Sequence, residues 1–211
     1  MSGTSTSRHD LAGEITGTAP SLTDRFLDAV ALAEEVHGRD RRSGTEVPYL
    51  AHLLVVSGLV LEDGGDEDEA IAALLHDAIE DTAVTFDDVA ARFGAKVAAI
   101  VQGCSDTDVM PKPPWRARKH AYLAHLADAP QEVVRVSLAD KVHNARSVLF
   151  DYRLMGDELW TRFNPDADQL WYYRSLVDVF RRVSRSPLVD ELDRVVTELE
   201  RLTRHTPDTD A

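Results

Sequence analysis

Residues 73–82 run Ala73-Leu74-Leu75-His76-Asp77-Ala78-Ile79-Glu80-Asp81-Thr82, an apolar helical pattern with four ionisable residues toward its end. Just upstream, Glu67, Asp68 and Glu69 form the acidic opening favoured at a helix N-terminus. Ile71, Ala72, Leu74, Leu75, Ala78 and Ile79 then make a helix over 66–80 apolar on most of its sides, which places it at the centre of a core. Yet His76, Asp77, Glu80 and Asp81 crowd its end, and burying such groups without partners costs several kcal/mol. On a continuous helix Glu80 stands at i+4 from His76 and i+3 from Asp77, with Asp81 at i+4 from Asp77. All four then line adjacent strips facing one cleft.

The same helical spacing recurs along the chain, with no alternating strand pattern and no Asn-Gly hairpin signal. An all-α, single compact fold is expected. A first helix over 22–36 carries Leu22, Phe26, Ala29, Val30 and Ala33 on one face, with Ser21 as N-cap. A basic loop over 38–47 follows, and Pro48 suits the first turn of a helix bearing Tyr49, His52, Leu53, Val56 and Val60. Thr85 and Asp88 form a capping box, and Gly94 ends that short helix. Later helices are expected over 97–102, 114–126, 131–149, 167–183 and 188–202. No linker or repeat interrupts them, so residues 21–202 read as one domain between flexible tails at 1–20 and 203–211.

Composition narrows the partners. The 211 residues, 44% of them hydrophobic, suffice for one core of useful size. Against 37 Asp and Glu stand 23 Lys and Arg, a net charge of −14 that disfavours long nucleic acids. The longest apolar run, 53–61, is broken by Ser57 and Gly58 and falls far short of the ~20 residues that span a bilayer, so no membrane partner is expected. The first residues lack the apolar segment of a signal peptide. Cys104 has no second cysteine to bond with, which fits a cytoplasmic setting.

Two further polar islands interrupt apolar helices. His52 is one; the other is Leu138-Ala139-Asp140-Lys141-Val142-His143-Asn144, which puts Asp140, His143 and Asn144 on one face. A single such residue is more often a satisfied core group, but three islands on three helices point to a shared site. His52, His76, Asp77 and Asp140 supply two imidazoles and two carboxylates without a thiolate, a set suited to an octahedral divalent ion such as Mn²⁺, with Fe²⁺, Mg²⁺ or Zn²⁺ as alternatives. Such an ion acidifies water and neutralises phosphate oxygens, so hydrolysis of a phosphate ester is the natural chemistry. Glu80 and Asp81 stand one turn away to orient or deprotonate that water.

These residues resemble the HD phosphohydrolase superfamily and, more narrowly, the hydrolase domain of RelA/SpoT-type alarmone enzymes. Arg41-Arg42-Ser43-Gly44 and then Pro48-Tyr49-Leu50-Ala51-His52 is similar to that family's Arg-Lys-Ser-Gly loop and Pro-Tyr-Ile-x-His. Residues 73–82 resemble its Ala-Leu-Leu-His-Asp-x-x-Glu-Asp-Thr signature, Phe93-Gly94 with Val97 its Phe-Gly-x-x-Val, and 138–146 its Leu-Ala-Asp-Lys/Arg-x-x-Asn-x-Arg. The resemblance spans roughly 36–150. It implies His52, His76, Asp77 and Asp140 as metal ligands and Glu80 with Asp81 as the catalytic pair. It further implies that Arg41, Arg42 and Ser43 hold the base and phosphates, and Asn144 and Ser147 the ribose and 3′ side. The reaction implied is Mn²⁺-dependent removal of the 3′-pyrophosphate from ppGpp or pppGpp, leaving GDP or GTP, in a free-standing small hydrolase of the stringent response.

The chain departs from the family at Arg42, where the family has Lys, at the longer loop through Thr45-Glu46-Val47, and over 151–164, which has no clear counterpart. These departures keep open another phosphorylated nucleotide, such as an adenine alarmone or NADPH, and a non-catalytic nucleotide-binding protein. A second basic stretch, Lys112, Arg116, Arg118 and Lys119, reads as a solvated helix face that as a group could meet distal phosphates. Trp171, Tyr172 and Tyr173 read as core packing, with Tyr172 a weak substrate contact.

Overall fold

A computed structural model describes residues 21–105 and 113–204, apart from the side chains of Glu80 and Asp81. The tail expected over 1–20, Lys112 and residues 205–211 lie outside the described residues. Among those described, every regular element is helical, and the one bridge of β type joins Arg41 to Pro48.

Helix α1 is Asp24–His37, and its N-cap is Thr23 where the sequence pointed to Ser21. Both side chains are good caps, but the Thr23 amide donates to the Glu67 carboxylate at 2.5 Å, and that distant partner selects the later start. Helix α2, Tyr49–Glu62, begins just after Pro48, which takes the N-cap position and not the first turn. Helix α3, Glu67–Leu75, opens on a capping box in which Asp66 and Glu69 exchange side chain and backbone hydrogen bonds.

The uninterrupted helix expected over 66–80 is not formed. Helix α3 stops at Leu75, His76 and Asp77 make a turn, and α4 restarts over Ala78–Asp81. Asp77 adopts φ −99° and ψ −8°, in the bridge region between helix and extended backbone. The His76 ring explains the stop: its Nδ1 donates to the Ala73 carbonyl at 2.8 Å, occupying an acceptor that the helix terminus leaves unpaired. His76 and Glu80 therefore do not share one continuous helix.

Helix α5, Phe86–Phe93, has the expected Thr85–Asp88 capping box, and Gly94 ends it at φ +97°, a conformation that suits glycine. Then come α6 (Ala95–Cys104), α7 (Trp115–Asp128) and α8 (Gln131–Met155). Helix α8 has 25 residues and spans about 37 Å at the usual rise. A 3₁₀ segment, Gly156–Arg162, fills part of the stretch whose pattern was unreadable, ahead of α9 (Gln169–Val183) and α10 (Pro187–Arg204).

Helix α3 is buried from Glu69 to Leu75 and packs on α1, α2, α6 and α8, the central place its composition required. Helix α8 is the second axis, touching α2, α3, α6, α9 and α10. The α2, α3 and α8 trio thus gathers the three polar islands at one point. At the N-terminal end of α3 a buried charge is compensated: Arg135 of α8 bonds the carboxylate of Glu69 and, at 3.2 Å, that of Asp63.

Candidate active site

His52 from α2, His76 from the turn after α3, and Asp140 from α8 converge, with one donor atom from each lying within 4.8 Å of the others. Asp140 Oδ1 is 3.3 Å from His52 Nε2 and 3.6 Å from His76 Nε2. Both Nε2 atoms are buried and make no hydrogen bond. Buried polar atoms are ordinarily satisfied, so two unsatisfied imidazole nitrogens aimed at one carboxylate are a set that could hold a divalent cation. Asp77 closes the group, its Oδ2 at 3.0 Å from His76 Nε2 and 3.8 Å from His52 Nε2.

Each of these groups is held from behind. The Ala73 carbonyl takes the Nδ1 proton of His76, which makes Nε2 the nitrogen turned toward the cluster. His52 Nδ1 lies 2.7 Å from His143 Nδ1. The Tyr49 hydroxyl donates to Asp77, and its ring lies between those of His37 and His52 at 5.2 and 5.4 Å. Asp140 accepts from Lys141 Nζ and from Asn144 Nδ2, both at 2.5 Å.

The two imidazoles titrate in opposite directions. Burial lowers His52, outweighing its attraction to Asp140, while neighbouring His76 and Arg42 add to the fall. Burial also opposes the charged form of His76, but the carboxylates of Asp77 and Asp140 together win and raise it well above the usual histidine range. Burial likewise pushes Asp140 upward, and Lys141 with the two histidines overcomes it, so that the carboxylate stays ionised. His143, pushed down to about 4 by burial and by His52 and Arg42, is neutral at physiological pH.

The cluster opens on a cavity of about 1050 Å³ through His52, which belongs to both, and His143, which contacts His52, lines that cavity too. Arg42, Ser43, Asn144 and Ser147 line it, as do Tyr49 and Tyr173. Arg42 Nη2 donates to Asn144 Oδ1 at 2.7 Å and lies 3.5 Å from Ser147 Oγ. Because Asn144 also donates to Asp140, a chain of hydrogen bonds runs from the Arg42 loop to the metal-type cluster. The loop itself is pinned by Arg42 N–H to Val47 O at 2.9 Å and Tyr49 N–H to Asp40 O at 3.0 Å.

Most of the residues singled out in the sequence meet here. Arg41 does not: it is exposed, donates to the Asp40 carbonyl at 3.0 Å, and is not among the lining residues. Helix α4 carries Glu80 and Asp81 directly after Asp77, but their side chains lie outside the described residues. Arg116, Arg118 and Lys119 are also absent from the cavity lining; Arg116 covers the Trp171 ring at 3.9 Å and pairs with Asp168. The sequence reading gave no role in the site to Tyr49, Lys141 or Arg162, took Tyr173 as core packing, and named His143 only as sharing a face with Asp140 and Asn144. A signal existed for His143, which lies at i+3 from Asp140 on an apolar helix. Arg162, in the segment without a pattern, had none; it lines the cavity and pairs with Asp151 at 3.2 Å.

A family model described as an HD domain matches residues 29–154. Over 126 residues the chain is 38% identical to the guanosine-3′,5′-bis(diphosphate) 3′-pyrophosphohydrolase MESH1 of Xenopus tropicalis, covering 58% of this chain and 69% of that protein. It is 35% identical over 132 residues to the bifunctional (p)ppGpp synthase/hydrolase SpoT of Escherichia coli K12, covering 59% of this chain but 18% of that much longer protein. A solved structure of a metazoan ortholog of SpoT, described as hydrolysing ppGpp, superposes with a TM-score of 0.71 at 25% identity, over 86% of this chain and 98% of that one. Among the described residues, no helix is long and apolar enough to cross a membrane.

Proposed function

The chain belongs to the HD-domain family, and from that membership we propose that it is a metal-dependent hydrolase that removes the 3′-pyrophosphate from ppGpp and pppGpp, leaving GDP and GTP. The observation that carries this reading is the convergence of the unsatisfied His52 and His76 nitrogens with Asp140 at the edge of a nucleotide-sized cavity lined by Arg42, Asn144 and Ser147. The relatives named as ppGpp 3′-pyrophosphohydrolases supply the substrate.

His52, His76, Asp77 and Asp140 are assigned as the residues that hold the cation, with Mn²⁺ favoured by their mixed imidazole and carboxylate character. When bound, such a cation neutralises phosphoryl charge and acidifies the attacking water. Glu80 and Asp81 orient that water and take its proton. Water oxygen bonds to the phosphorus attached at the ribose 3′ position, the bond from that phosphorus to O3′ breaks, and O3′ gains a proton as pyrophosphate leaves. Arg42, steadied by Asn144 and Ser147, forks to phosphate or stacks on the base, as a planar guanidinium permits. Ser43, on the cavity lining, completes the base-binding loop without Arg41, which lies off that lining, and Asn144 with Ser147 meets the ribose.

The net charge of −14 does not oppose a polyanionic substrate, because Arg42, Arg146 and Arg162 all line the cavity. Residues 21–202 constitute the catalytic domain in this reading, and the setting is cytoplasmic. The test is a screen of the Mn²⁺-loaded protein against phosphorylated nucleotides, with pyrophosphate and orthophosphate read separately. Release of pyrophosphate from ppGpp, lost in His76→Ala and Asp77→Ala, is expected. Turnover of NADPH or an adenine alarmone in its place refutes the substrate assignment, and binding without turnover refutes the enzyme.

A further inference from the structure

The ring of His76 is fixed by a backbone carbonyl, which no side-chain substitution removes; the ring of His52 is fixed by a side chain, and that side chain belongs to the same helix as Asp140. The Nδ1 atoms of His52 and His143 are 2.7 Å apart, with ring centroids 4.9 Å apart at an interplanar angle of 35°. At that separation one nitrogen donates and the other accepts, so two arrangements of neutral rings exist. If His143 donates, the proton of His52 sits on Nε2, facing Asp140, and the ring cannot ligate. If His52 donates, its Nε2 directs a lone pair into the cluster.

We propose that His143 is a positioning residue: its Nδ1 accepts the Nδ1 proton of His52 and thereby holds His52 in the tautomer that ligates the cation. The assignment rests on the metal centre proposed above. It makes α8 the organising element of that centre, since Asp140 supplies a ligand, Lys141 and Asn144 fix its carboxylate, and His143, at i+3, fixes a ligand on α2. A ligating histidine commonly gives its second ring proton to a carbonyl or carboxylate. Here the acceptor is a second imidazole, and it also faces the cavity.

The experiment compares Mn²⁺ binding to wild-type protein, His143→Phe and His143→Asn by calorimetry, alongside thermal unfolding without added metal. Asparagine places its Oδ1 about where the imidazole Nδ1 lies, so it retains the acceptor that phenylalanine removes. His143→Phe is expected to bind Mn²⁺ about tenfold to a hundredfold more weakly, with His143→Asn recovering most of the loss. Equal affinity in His143→Phe and wild type, or equal weakness in both variants, overturns the proposal. Long-range ¹H–¹⁵N spectra of the Zn²⁺-loaded wild-type protein test it even if a variant fails to fold: the His52 proton belongs on Nδ1, and a proton on Nε2 overturns the assignment. Failure of wild type to bind Mn²⁺ overturns the metal centre and the role of His143 together. Wild-type binding with an indifferent His143→Phe overturns the positioning role alone.

Discussion

Gly44→Ala perturbs the cavity at a point where two separate effects can be distinguished. Gly44 has φ +71°, and a Cβ added there would stand 2.7–2.9 Å from Nε, Cδ and Cζ of Arg162. The left-handed backbone alone costs an alanine about 1–2 kcal/mol. The crowding adds less, because an arginine end can swing away, at the expense of its pair with Asp151, whose value at this partial exposure is about 0–1 kcal/mol. A total of about 1–3 kcal/mol lowers Tm by about 2–12 °C for a domain of this size. Strain that the free protein relieves by tilting the Arg42 loop must be restored when substrate binds, so KM for ppGpp rises about tenfold for each 1.4 kcal/mol, with kcat little changed. The assay is steady-state pyrophosphate release and thermal unfolding for Gly44→Ala, Arg162→Ala and the double variant. Arg162→Ala removes the crowding but not the backbone cost, so Gly44→Ala should be milder in that background. Equal effects in both backgrounds refute the contact between this loop and the 3₁₀ segment.

Arg135→Ala leaves the buried carboxylate of Glu69 and the half-buried one of Asp63 without their cation, and chemical denaturation should show a loss of about 3–5 kcal/mol; a loss below 1 kcal/mol contradicts the packing described. Tyr49→Phe removes the hydroxyl that holds Asp77 and should weaken Mn²⁺ affinity about tenfold or more while Tm moves little; unchanged affinity contradicts the positioning of Asp77. Burial pushes the Cys104 thiol up to about 11, so it stays protonated at neutral pH and gains thiolate only as pH approaches that value. Its reaction with a disulfide reagent at pH 7.5 should be slow in the folded protein and fast in denaturant, and rapid labelling of the folded protein contradicts this.

The fold was legible because apolar spacing dominates it. Helix α3 had to be central, and Thr85, Asp88 and Gly94 announced their helix by local chemistry alone. What the sequence hid was settled by partners distant in the chain. Thr23 caps α1 in place of Ser21 because Glu67 receives its amide. The break at His76 and Asp77 contains neither glycine nor proline, and arises because the His76 ring caps α3 while Tyr49, 28 residues upstream, takes the Asp77 carboxylate. In the site, the convergence of His52, His76 and Asp140 followed from their isolation on apolar helices. The pairing of His52 with His143 spans 91 residues, and periodicity within one helix carries no information about it. Arg162 comes from a 3₁₀ segment whose short, irregular form leaves no repeating pattern.

The most direct measurement takes ppGpp and the Mn²⁺-loaded protein and follows GDP and pyrophosphate together over a time course. Equal amounts of the two products, with no orthophosphate, are predicted for the wild type, and neither product for His76→Ala at unchanged fold. Orthophosphate as the first product, or intact ppGpp after many turnovers' worth of time, contradicts the account.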